Sequence, residues 1–194
     1  MSYGQRFASA LNDHFPGRDF EDVMKMVDEI VKRPYIDSGK LGITGSSAGG
    51  ILTDWAITHT SRFKAAVSIS DIADFSAYWF VGDQPYLIKE NDEAPWNTAR
   101  IRAQSPITYW KNITTPTMFI SGSEDFRTPS SAGGEMLFRT LKYLRIPTAL
   151  VRFKGAGHSI YGSSDARHYG LTTYYTLRWM NDQLKGIKVP ELHP

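Results

Sequence analysis

The run Gly45-Ser46-Ser47-Ala48-Gly49-Gly50 sets a serine in the pattern G-x-S-x-G. A hydroxyl in that setting can act as an acyl-transfer nucleophile, provided the serine stands on a sharp turn from strand to helix. Such a turn needs small flanking residues so that the helix can pack close to the strand, and Gly45, Gly49 and Gly50 are small. The helix that follows aims backbone N–H groups and the positive end of its dipole at developing negative charge. The Ala48 amide is then one candidate donor to an oxyanion. Ser46 shares the turn, but the pattern puts Ser47 at the apex. A plain glycine–serine turn opening a helix would read the same, so the motif needs partners elsewhere in the chain.

A serine hydroxyl is a poor nucleophile without a base. The chain has five histidines: His14, His59, His158, His168 and His193. His158 stands in Lys154-Gly155-Ala156-Gly157-His158-Ser159, a glycine-rich loop just past a predicted strand. His59 lies about three turns down the helix that follows the serine, His14 and His168 fall in helical or polar stretches, and His193 is in the tail. An acid is expected between serine and histidine. Gly122-Ser123-Glu124-Asp125 follows the apolar run Met118-Phe119-Ile120-Ser121 directly, so Asp125 or Glu124 could serve. Asp125 is the choice, one short turn beyond the strand, with Glu124 left to solvent. Asp125 would orient His158 and stabilise its imidazolium. The chain order Ser47, Asp125, His158 is that of α/β-hydrolases.

The elements that must carry these residues alternate. Phe20, Val23, Met24, Val27, Ile30 and Val31 recur at three- and four-residue steps and predict an amphipathic helix ended by Pro34. Strands are predicted over 40–44, 63–69, 117–121 and 148–153. Helices are predicted after the serine, with Ala48, Ile51, Leu52 and Trp55 on one face, over 130–144, and over 166–184. Residues 70–112 are less regular and rich in aromatics. The alternation predicts an α/β fold, with a mostly parallel sheet of about four strands flanked by helices.

Composition narrows the partners. With 194 residues, the chain has length for one domain with a proper core, read as 1–194, but hardly two. The net charge is +2 with basic residues scattered, which argues against nucleic acid. No apolar run approaches the ~20 residues of a membrane span, so a soluble protein is expected. No cysteine is present, which removes disulfides, cysteine nucleophiles and thiolate metal sites. No metal-binding pattern, dinucleotide fingerprint or phosphate loop competes with the serine motif, so no cofactor and no metal are expected. The compartment stays open, with the cytoplasm favoured.

Several segments together resemble one family. Gly42 to Gly50, Phe63-Lys64-Ala65-Ala66-Val67, Ser105-Pro106-Ile107, Thr115-Pro116-Thr117, Gly122 to Pro129 and Gly155-Ala156-Gly157-His158 are similar to the catalytic domain of prolyl oligopeptidase-type (S9) serine peptidases. The acylaminoacyl- and dipeptidyl-peptidase-like branches are nearest. The resemblance runs from Tyr3 to Trp179. It implies a doubly wound α/β-hydrolase sheet and hydrolysis of a peptide or acyl-peptide bond, with short peptide or acyl substrates. It carries Ile72, Phe75, Tyr78 and Trp79 over as a substrate-pocket wall, against the plain alternative of an apolar insert packed on the core. It carries Arg127 over as a substrate anchor, against a surface salt bridge.

The family's β-propeller and the strands upstream of Tyr3 are missing, together with the loop that would give a second oxyanion donor. The chain is therefore expected to be the C-terminal part of a hydrolase domain, with an unpaired edge at Leu41–Thr44. Self-association, or completion by a missing N-terminal segment, follows as an expectation. Two rival functions remain: a carboxylesterase acting on small esters, and an inactive remnant serving as a binding or dimerisation module.

Overall fold

The computed structural model describes residues 3–11, 14–84, 98–160 and 166–188. In chain order the elements are α1 (Gln5–Ala8), a 3-10 turn at Ser9–Leu11, α2 (Arg18–Ile30), β1 (Leu41–Ser46), α3 (Ala48–His59), β2 (Phe63–Ile69) and α4 (Phe75–Val81). There follow α5 (Thr98–Gln104), a 3-10 segment at Pro106–Asn112, β3 (Thr117–Gly122), a 3-10 turn at Ser130–Ala132, α6 (Gly134–Leu144), β4 (Thr148–Phe153) and α7 (Ala166–Lys185). The four strands pair in the order β1-β2-β3-β4, all parallel.

A parallel sheet covered on both sides needs apolar side chains on both faces, and β2 and β3 supply them. Ala65, Val67 and Ile69 of β2, with Met118 and Ile120 of β3, pack beside Trp179, Tyr175 and Met180 of α7. The alternate residues Ala66 and Phe119 pack with Ile57 of α3 and with Leu137 and Leu141 of α6. Every residue of β3 is buried. None of the described helices is long and apolar enough to cross a membrane.

β1 is different. Among the described residues it pairs only with β2, and its burial alternates, with Gly42, Thr44 and Ser46 exposed. The amphipathic helix expected from Phe20 to Val31 is α2, which packs on α3. None of its residues is fully buried, and Met26 and Ile30 are exposed. The helix expected over 130–144 is interrupted, because Gly133 leaves the helical region at φ −132°, ψ −122° and separates the 3-10 turn from α6.

The glycines of the serine motif are not equivalent. A methyl at Gly45 would be driven into the backbone of Gly49, so here strand and helix touch backbone to backbone. A methyl at Gly49 would meet nothing within 4 Å. Gly49 is therefore the surface approached, and it needs no missing side chain of its own, contrary to the equal weight its place in the motif suggests. Gly45→Ala is expected to destabilise the chain by about 1–3 kcal/mol through overpacking. Gly49→Ala is expected to stabilise α3 by about 0.5–1 kcal/mol through helix propensity. Urea midpoints of the two variants check this, and equal shifts would refute it.

Candidate active site

The register of the sheet brings three loops to one end. Ser46 pairs with Ile69, Ile69 with Ile120, and Gly122 with Phe153, so the strands finish side by side. Ser47 leaves β1, Asp125 lies three residues past β3, and His158 lies five residues past β4.

Ser47 adopts φ 58°, ψ −120°, a region L-residues rarely occupy. The turn is held because the Ser47 amide donates to the Ile69 carbonyl at 2.9 Å, while its own carbonyl accepts from Ile51 at 3.0 Å. Ala48 is the exposed first residue of α3. Its N–H belongs to the first-turn amides that have no intrahelical acceptor.

The acid and histidine loops are laced together. Ser123 N–H donates to Phe153 O and Glu124 N–H to Ala156 O, each at 2.9 Å, and Gly155 N–H donates to Ser123 Oγ at 2.8 Å. A methyl at Gly122 would collide with the Ala156 carbonyl, so the two loops are in backbone contact.

Three side chains meet across these loops. His158 Nε2 lies 2.9 Å from Ser47 Oγ. His158 Nδ1 lies 3.1 Å from Asp125 Oδ2 and 3.2 Å from Oδ1. The Asp125 side chain is fully buried and that of His158 is about one quarter exposed, at 26%. Burial alone would push Asp125 up. Hydrogen bonds from His158 and from the Thr128 amide, aided by the histidine's charge, outweigh it and hold the carboxyl below its ordinary value. Asp125 is thus an ionised acceptor behind the imidazole. Glu124 is exposed and has no part in the constellation. With Nδ1–H donated to the carboxylate, Nε2 is free to take the serine proton, which is the arrangement acyl transfer requires.

Thr128 was not singled out by its sequence. Its N–H donates to Asp125 Oδ1 at 2.8 Å and its Oγ1–H to Oδ2 at 2.9 Å, and Oγ1 also lies 3.1 Å from His158 Nδ1. The signal was an acid followed three residues later by a threonine, a common turn pattern. Thr128→Val keeps the shape and removes the hydroxyl donor. It is expected to cost about 1.5–3 kcal/mol, the worth of a hydrogen bond to a charged group. The folded-state pKa of Asp125 would rise toward the unfolded value. The stability that this depressed pKa confers would then be lost at a higher pH as the solution is acidified. Acid unfolding curves of the two proteins test this, and superimposable curves would exclude the role.

The residues carried over as a pocket wall divide. Ile72 and Tyr78 are buried in a cluster with Ile51 and Ala132, and Tyr78 OH donates to Gln84 O at 3.3 Å. Phe75 and Trp79 on α4 are half-buried, and Phe75 N–H donates to Ser105 Oγ at 3.0 Å. Arg127 pairs with Asp83, Nε to Oδ1 at 2.8 Å and Nη2 to Oδ2 at 3.4 Å. His59 is remote from this site, stacked on Trp55 with centroids 3.9 Å apart.

Comparison with known proteins places this geometry. The chain is 35% identical over 186 residues to the uncharacterised peptidase YuxL of Bacillus subtilis, an alignment that covers 94% of this chain and 28% of that protein. Its fold matches the acylaminoacyl peptidase of Pyrococcus horikoshii with a TM-score of 0.88 at 26% identity, covering 99% of this chain and 32% of that one. An acylaminoacyl peptidase solved in complex with Z-Gly-Gly-Phe-chloromethyl ketone matches with a TM-score of 0.85 at 27% identity, covering 99% and 32%. The chain thus spans about 30% of the length of these proteins, and the four-stranded parallel sheet with its flanking helices is part of an α/β-hydrolase fold. The prolyl oligopeptidase family model matches residues 1–186, and the chain belongs to that family.

Proposed function

We propose that Ser47, His158 and Asp125 are the triad of a serine peptidase that cleaves short peptides or acyl-peptides, within one catalytic unit read over residues 1–194. The supporting observation is the unbroken line from Ser47 Oγ through the imidazole to a buried, ionised Asp125. Ser47 Oγ attacks the scissile carbonyl and its proton passes to His158 Nε2. The carbonyl π electrons move to oxygen, where the Ala48 amide donates to the oxyanion. Collapse re-forms the carbonyl, breaks the C–N bond and sends the His158 proton to the leaving amine, which leaves an acyl ester on Ser47. Water then repeats the sequence and returns the serine.

Phe75 and Trp79, together with Ile72 and Tyr78 of the cluster that Phe75 packs against, are the proposed wall for the side chain before the scissile bond. Arg127 is proposed as a substrate anchor, its Asp83 partner holding the guanidinium in place.

The test is kcat/KM for a blocked-peptide amide and for an ester of the same acyl group, combined with fluorophosphonate labelling. Labelling at Ser47 with turnover of the amide supports the peptidase. Labelling with turnover of the ester alone favours a carboxylesterase. The rival of an inactive binding or dimerisation module has one observation in its favour, the edge of β1 that no strand among the described residues pairs, a template for another strand. A folded chain that self-associates in light scattering and takes no probe would favour it.

A further inference from the structure

Asp54 and Asp71 are 0% and 2% exposed and stand outside the triad. Asp54 comes seven residues after Ser47, two turns along the same side of α3. Asp71 follows β2 by two residues and lies against the start of α6. A methyl at Gly133 would come 2.9 Å from Asp71 Oδ2, and one at Gly134 would come 3.0 Å from Oδ1. Both oxygens of Asp54, and Oδ2 of Asp71, find no donor among the described residues. The ion pairs of the described residues include neither aspartate. Gly50, one turn before Asp54 on the same side of α3, packs on Asp71, and this brings the two carboxyls to face each other. Two carboxylates in such contact cannot both be ionised without a cation, so the contact requires a proton.

Burial and the neighbouring Asp71 charge push Asp54 well above the usual carboxylate range. Burial also raises Asp71, and the charge of Asp125 adds to that rise. The groups facing the pair are the Ser68 hydroxyl from β2, which donates to the Gly50 carbonyl at 3.1 Å, the Gly134 amide from α6 and the Asp125 carboxylate from the loop after β3. The strand end that carries Asp71 also holds the nucleophile turn, because the Ile69 carbonyl accepts from the Ser47 amide. Gly50 of α3 packs directly on Asp71, a methyl there coming 3.1 Å from its Cβ.

We propose that Asp54 and Asp71 share one proton and form a positioning pair for Ser47. Their bond clamps α3 to the end of β2 and to the first turn of α6. The positioning role rests on Ser47 being the nucleophile, whereas the shared proton does not.

Asp54→Asn and Asp54→Leu separate these parts in the full chain. The wild-type fold retains a proton that the unfolded chain releases above its ordinary carboxylate pKa. Stability should therefore fall as pH rises, until the raised folded pKa is passed. Wild-type Tm should drop by about 3–5 °C per unit as the pH rises above the ordinary carboxylate range. In Asp54→Asn the side-chain amide donates to an ionised Asp71 with no proton to lose, so this variant should lack that slope. Fluorophosphonate labelling of Asp54→Asn should stay within about threefold of wild type because the bond survives. Asp54→Leu, assayed where it is folded, should label about 10- to 100-fold more slowly. Equal Tm slopes for wild type and Asp54→Asn would overturn the shared proton, even if Asp54→Leu does not fold. A folded Asp54→Leu that labels at the wild-type rate would overturn the positioning role. Wild type that takes no probe, yet shows the slope difference, would overturn the nucleophile reading and leave the proton pair supported.

Discussion

Replacing Ser47 by glycine is expected to abolish acyl transfer and, at the same time, to make the protein more stable. Loss of a triad serine costs on the order of 10⁶ in kcat. The gain in stability comes from the backbone. Ser47 is held at φ 58°, ψ −120° by the Ile69 carbonyl on one side and the start of α3 on the other. A residue with a Cβ in such a region carries roughly 1–3 kcal/mol of strain, and glycine carries little. Ser47→Ala should lose the same activity and keep the strain. The pair therefore separates chemistry from conformation. Both variants should be inert to a fluorophosphonate, and only the glycine variant should show a higher unfolding midpoint. Equal midpoints would mean that the strain is not stored at this turn.

Asp125→Asn is expected to lower kcat by on the order of 10⁴ while the protein stays folded. Its amide oxygen can still accept from Thr128, but its NH₂ group must face the imidazole. His158 Nδ1 then becomes an acceptor, the ring proton moves to Nε2, and Nε2 can no longer take the proton of Ser47 Oγ. The variant loses a charge from a fully buried position that Thr128 and His158 are arranged to receive. Single-turnover acylation rates together with circular dichroism melts decide the matter. A variant that acylates within tenfold of wild type, a bound far inside the expected loss, would mean that Asp125 does not set the histidine's tautomer.

How much of this could be read from the chain alone depended on whether the signal was local. Ser47, Asp125 and His158 each follow a predicted strand, and their chain order restricts the choice, so the sequence was enough to bring them together. The strands over 63–69 and 117–121 were readable because a parallel strand covered on both faces is apolar almost throughout. Thr128 was hidden because a threonine three residues after an acid is ordinary turn chemistry. Asp54 was hidden for the opposite reason. An aspartate in a helix is normally at the surface, and α3 is buried on nearly all sides from Gly50 to Thr58. Its partner is 17 residues further on, across a strand, a separation no periodicity reveals. The difference between Gly45 and Gly49 is likewise tertiary, since it depends on which backbone approaches which. Within 70–112, the apolar residues of α4 run from the buried Tyr78 through the half-buried Phe75 and Trp79 to the exposed Phe80, so their spacing gave no clear period.

In this sheet the spatial order of the strands is the order of synthesis, β1 to β4. The serine comes off the first strand, the acid off the third and the histidine off the last. A slip of one residue between any adjacent pair would shift one of these three side chains from the others by about 3.3 Å along its strand. That is more than the 2.9 Å separating Ser47 Oγ from His158 Nε2. The site is therefore a parity check on the whole sheet. With Ser47 as the proposed nucleophile, a serine-directed probe would report, in one covalent event, that the four strands have all found register, and it would stay silent on any chain in which one of them had not.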